Sequence, residues 1–148
     1  MEISRAYSIG FTGSNAERFF GRLRQHGIRC LLDVRINNTS QLSGFAKRQD
    51  LEFFLHEILQ AEYRHVPELA PTEVLLKAYR NREIRWPEYE TRFIELLRQR
   101  QVEKQFSPSD FETPTVLLCS EPTPLQCHRS LVLDYFARSW GGLEVLHL

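Results

Sequence analysis

Residues 7–34, YSIGFTGSNAERFFGRLRQHGIRCLLDV, carry the pattern from which the fold follows. The apolar run Tyr7 to Phe11 has strand length and ends in the turn composition Gly10-Phe11-Thr12-Gly13. Ser14 followed three residues later by Glu17 has the spacing of a capping box, in which each side chain satisfies an orphan amide at a helix start. Gly27 stands where that helix would close in a left-handed turn. Arg29 to Val34 is a second continuous apolar run, as expected of a strand whose two faces are both covered. Strand, helix, strand is the connection that parallel neighbours need.

The same alternation continues along the chain. Leu51, Phe54, Leu55, Ile58 and Leu59 share the helical spacing of a stripe that packs on a sheet. EYRHV, residues 62–66, reads as a brief strand stopped by Pro67, which cannot donate a ladder hydrogen bond. PTEVLLKAYRNR (71–82) and WPEYETRFIELLRQR (86–100) read as helices, with Pro87 in a first turn and Tyr89, Phe93, Leu96 and Leu97 on one face. The polar segment from Val102 to Pro114 has two prolines and no apolar period, and reads as a surface loop. TVLLC (115–119) is a strand run, TPLQCHRSLVLDYFARSW (123–140) a helix, and LEVLHL (143–148) a terminal strand. Five short strands interleaved with helices predict a single α/β domain over residues 1–148: three layers, a mostly parallel sheet and helices on both faces. Right-handed crossovers place the turns after the strands on one rim, and ligands of such sheets bind outside the strands' carboxyl ends.

Composition narrows the function. With 148 residues, 42% of them hydrophobic, the chain is long enough for one core and short for two. Nineteen basic residues balance nineteen acidic ones, so no broad cationic field attracts nucleic acid, and any anion site must be local. The start, MEISRAYSIGF, lacks the sustained apolar core of a secretory signal, and no stretch approaches the roughly 20 apolar residues of a membrane span. The expectation is a cytoplasmic protein without a membrane partner. There, three cysteines read as core, metal or catalytic residues before they read as a structural staple.

The residues that end the strands are reactive types: Gly10 and Thr12 after the first, Asp33 and Arg35 at the second, His65 at the third, Cys119 and Glu121 at the fourth. Thr123 and Gln126 form a second capping box with Pro124 between them, which starts a helix at Thr123 and puts Cys127 about one turn in. The positive helix end, with His128 and Arg129, favours a thiolate there, and Cys119 faces the same helix start. Helix amides with Arg129 and Arg35 would cradle a phosphate, sulfate or carboxylate. The residues thus point to an enzyme centred on Cys119, Glu121, Cys127, His128 and Arg129, with Gly10, Thr12, Asp33, Arg35 and His65 binding a small anionic ligand. Arg129 lies ten residues after Cys119 and two after Cys127, which is not the spacing of a cysteine-phosphatase loop.

Other readings compete. Asp33 and Arg35 could simply pair with each other, and His65 could be a structural hydrogen-bonder. A nucleotide- or nucleic-acid-binding module without catalysis would use Arg35, Lys47, Arg80 and Arg82. No cofactor is required. Cys119, Cys127, His128 and Glu121 could hold a metal, against which stand the seven residues between the cysteines and the divergence of adjacent ligands on a helix. The two cysteines could instead form a reversible disulfide. Both could also be small core hydrophobes, as Cys30 reads inside RCLLDV.

Five segments in consistent order, YSIGFTGS (7–14), LLDVR (31–35), YRHVPELA (63–70), WPEYETRF (86–93) and LLCSEPTPLQCHRSLVLDYF (117–136), resemble the domain of unknown function 488 family of small bacterial and archaeal proteins. The specific element is Cys-x-Glu followed by Cys-His-Arg, and the resemblance carries over Cys119, Glu121, Cys127, His128, Arg129, Asp33 and Arg35 by position. The chain departs from the family at Phe11, where histidine is usual, and at INNTSQ (36–41), where a proline and a Ser-Arg pair are common. The resemblance implies fold and site, and no reaction.

Overall fold

The computed structural model describes residues 4–11, 14–36, 44–119 and 127–148. Five strands, β1 (Ser4–Gly10), β2 (Cys30–Asp33), β3 (Glu62–His65), β4 (Thr115–Cys119) and β5 (Leu143–His147), form one sheet in the order β3-β2-β4-β1-β5. Every pairing is parallel, as the interleaved helices require. Register aligns the strand ends: Gly10 pairs with Cys119, and Asp33 pairs with both Leu118 and His65. The last residues of four strands therefore share one rim.

Strand alternation builds two cores. Ala6, Leu32, Leu117 and Cys119 pack against α4 (Trp86–Arg100) and α6 (His128–Trp140) through residues such as Tyr89, Phe93, Leu131 and Phe136. Tyr7, Ile9, Leu31 and Leu118 pack on the opposite face against Phe19, Phe20 and Leu23 of α1 (Ala16–Gln25) and Leu51 of α2 (Arg48–Phe54). The result is the three-layer α/β architecture expected. Gly27 takes φ 64° after α1, a conformation a side chain would disfavour.

Local details depart from expectation. The N-cap of α1 is Asn15, whose side chain accepts from Arg18 N at 2.8 Å, one residue later than the Ser14 box would place it. After α2 the chain makes a π turn over Leu55–Leu59. That wider turn rotates the apolar stripe, so Leu55 and Leu59 are buried while Ile58 is exposed. Between α3 (Glu73–Arg80) and α4 the chain turns at Arg82, φ 60°.

The surface-loop reading of Val102 to Pro114 fails. This segment holds α5 (Val102–Gln105) and a 3₁₀ turn over Pro108–Phe111, anchored by buried Val102 and Phe111. Phe106 and Phe111 both pack on Phe136, and Tyr135 Oη donates to Glu103 Oε2 at 2.6 Å. Two or three isolated anchors leave no periodic signal in so short a stretch. Among the described residues, no helix is long and apolar enough to cross a membrane.

Candidate functional site

Two groups of buried polar residues sit at the carboxyl rim, back to back across the sheet. Ser8, an even-numbered residue of β1, shares the α6 side of the sheet with Cys119 of β4, and from α6 Arg129 reaches both. Arg129 is fully buried. Its Nε donates to Ser8 Oγ at 3.1 Å, and its Nη1 lies 2.9 Å from Cys119 Sγ and 3.5 Å from Cys127 Sγ. Ser8 Oγ is 2.5 Å from His147 Nδ1. Since Ser8 accepts from Arg129, its hydroxyl proton is free to donate to that imidazole nitrogen, and burial followed by the nearby Arg129 cation lowers the pKa of His147.

Cys119 and Cys127 are joined as a disulfide, with α-carbons 7.7 Å apart. Cys127 is not one turn into the helix. It is the N-cap, with extended φ −129° and ψ 138° and no side-chain capping bond, so its sulfur sits beside the positive end of a 13-residue helix. The Thr123–Gln126 box and Glu121 lie outside the described residues, as does Thr12.

His128 opens α6. Its Nε2 lies 2.7 Å from Val34 O, and because a carbonyl only accepts, Nε2 carries the proton and Nδ1 the lone pair. Burial pushes the imidazole down to about 4, so the ring is neutral at neutral pH. Phe93 packs edge-on against it at 5.8 Å.

The second group occupies the α1 and α2 side of the rim. Asp33, fully buried, accepts from Arg35 N at 3.1 Å, Nε at 2.8 Å and Nη2 at 2.7 Å, and from Tyr63 Oη at 2.6 Å. Arg35 is buried too, with its guanidinium 5.2 Å above the centre of the Phe11 ring. Among the described residues its Nη1 meets no hydrogen-bond partner. His65 Nε2 donates to Arg35 O at 3.0 Å, which fixes the backbone of that loop.

The strand-end residues therefore fall into two clusters, where the sequence reading placed one hollow. Val34 joins them: its carbonyl holds His128, its neighbour is Arg35, and the Asp33 charge reaches His128. Gly10 ends β1 beside Cys119. Sequence reasoning missed Ser8, Tyr63 and His147. The signal for Ser8 was a hydroxyl within a buried apolar strand, at the parity that shares a face with Cys119.

Residues 15–136 match the sequence model of a family described as Domain of unknown function DUF488. No curated protein and no solved structure matches the chain.

Proposed function

The chain belongs to the DUF488 family, which is defined by sequence and not by activity, and from the site itself we propose a cysteine-centred enzyme acting on a small, phosphate- or nucleotide-like anion at the carboxyl rim. One observation carries the reading: the buried Arg129 guanidinium lies against both Cys119 Sγ and Cys127 Sγ. A cation at that distance stabilises thiolate over thiol, which makes Cys119 the candidate nucleophile once the pair is reduced. The His128 ring, one nitrogen of which lies within 4.8 Å of both sulfurs, is the nearby group able to move a proton. The start of α6, where the N-cap Cys127 makes no side-chain capping bond, supports an anionic ligand beside the thiols.

The direct Cys119–Cys127 link favours a second reading, in which the pair exchanges two electrons with a thiol or disulfide partner. Iodoacetamide labelling of the reduced protein, mapped cysteine by cysteine, with and without inorganic phosphate, tests the first. Cys119 or Cys127 is expected to react faster than Cys30 and to be slowed by phosphate. Burial alone predicts the reverse order, since Cys30 is the more exposed thiol. Rates no faster than that of Cys30, unchanged by phosphate, would remove the basis for the proposal.

A further inference from the structure

We infer that the reduced forms of Cys119 and Cys127, with His128 Nδ1, make a site for one thiophilic divalent metal ion of the zinc class, with a fourth position open to an anion. The inference rests on the thiol-centred reading in that it needs the pair reduced. Two objections were legible in the sequence, and the structure answers the stronger. Adjacent ligands diverge when both lie on a helix, but here the backbone changes from extended to helical between Cys127 and His128. The two sulfurs and one ring nitrogen of His128 all lie within 4.8 Å of one another.

Three further features fit a metal. Metal-binding histidines commonly donate their other ring N–H to a backbone carbonyl, which orients the lone pair, and His128 Nε2 does this to Val34 O at 2.7 Å. The α-carbons of Cys119 and Cys127 stand 7.7 Å apart, wider than the roughly 4.4–6.8 Å usual across a disulfide. An ion between the sulfurs, with arms of about 2.3 Å, suits that spacing. Two thiolates and an imidazole also select zinc-class ions over magnesium or calcium.

Charge defines the fourth position. Two thiolates neutralise a divalent ion, and Arg129, donating to both sulfurs, leaves the cluster one positive charge in excess. An anion, hydroxide or the substrate, completes it. A dithiol reductant supplies two electrons and two protons to open the disulfide, and the ion then displaces the two thiol protons to solvent. Bound metal would mask the thiolates, so the loaded and free forms are two states of one site.

The test is titration of the fully reduced chain with Zn²⁺ against a chromophoric chelator, and with Co²⁺ followed by its thiolate charge-transfer absorption. One ion per chain is expected, with that absorption present. Affinity should fall more than about tenfold in His128→Gln, since loss of an outer partner alone typically costs 10–100-fold, and stoichiometric binding should vanish in Cys119→Ser and Cys127→Ser. Melting temperatures of the metal-free variants identify any that fail to fold, and for those Cys30→Ser serves as the variant that must leave binding intact. Metal binding that survives Cys127→Ser in a folded protein, or depends on Cys30, overturns the inference. Fast alkylation of Cys119 without metal binding overturns it while leaving the thiol-centred reading standing, whereas slow alkylation without metal binding removes both.

Discussion

Asp33→Asn isolates the buried ion pair that shapes the rim. Asp33 accepts four hydrogen bonds through its two oxygens, three from Arg35 and one from Tyr63, and neither charged partner is exposed. The amide removes the negative charge, presents a donor to groups that are themselves donors, and leaves the Arg35 guanidinium buried without a counter-charge. Breaking a buried pair in this way costs about 3–5 kcal/mol. For a chain of this size each kcal/mol lowers Tm by about 2–4 °C, so a fall of roughly 6–20 °C is expected. Arg35→Met should cost a comparable amount, because it strands Asp33. The double variant Asp33→Asn/Arg35→Met should be less damaging than the sum of the two, since no uncompensated charge remains. Urea melts of the four proteins give the cycle. Single substitutions that cost less than about 1 kcal/mol, or costs that simply add, would refute the pairing argument.

Three further outcomes follow from other elements. Phe111→Ala should destabilise by about 3–5 kcal/mol in the same melts, because Phe111 is a core anchor packed on Phe136 and Trp140; a surface loop would lose almost nothing. Burial, with the Glu62 charge second, pushes the Cys30 thiol up to about 11 from an ordinary 9.0. The unfolded chain thus loses this proton first, and the stability that protonated Cys30 contributes below about pH 9 is lost as pH rises toward 11. Cys30→Val should flatten the stability profile over that window, and an unchanged slope would contradict the shift. Glu103→Gln should weaken the bond from Tyr135 and loosen α5 from α6, read as faster amide exchange across Val102–Gln105; unchanged protection would show that the segment is held without that bond.

The sheet was legible because its signals are dense. Continuous apolar runs at Tyr7 to Phe11, Arg29 to Val34 and TVLLC, separated by helical stripes, leave few arrangements besides a parallel sheet. The rim was legible for the same reason, since parallel topology alone brings Gly10, Asp33, His65 and Cys119 to one edge. What the sequence did not reveal depends on parity and on single contacts. Whether Cys119 and Asp33 look to the same side of the sheet is set by a one-residue phase in each strand, and the register puts them on opposite sides. The start of α6 was misplaced because a capping box reads equally well four residues upstream of the observed N-cap Cys127. The π turn at Leu55–Leu59 and the anchors Val102 and Phe111 answer to tertiary packing, which leaves no local mark.

The account turns on Arg129 making reactive thiols of Cys119 and Cys127. Its most direct measurement is the iodoacetamide rate at each cysteine of the reduced protein at neutral pH, compared between the wild type and Arg129→Met, with Cys30 in the same molecule reporting any loss of fold. Loss of the cation should slow Cys119 by at least roughly tenfold, one unit's worth of thiolate, while the Cys30 rate stays constant. An unchanged Cys119 rate in a folded Arg129→Met variant would contradict the account.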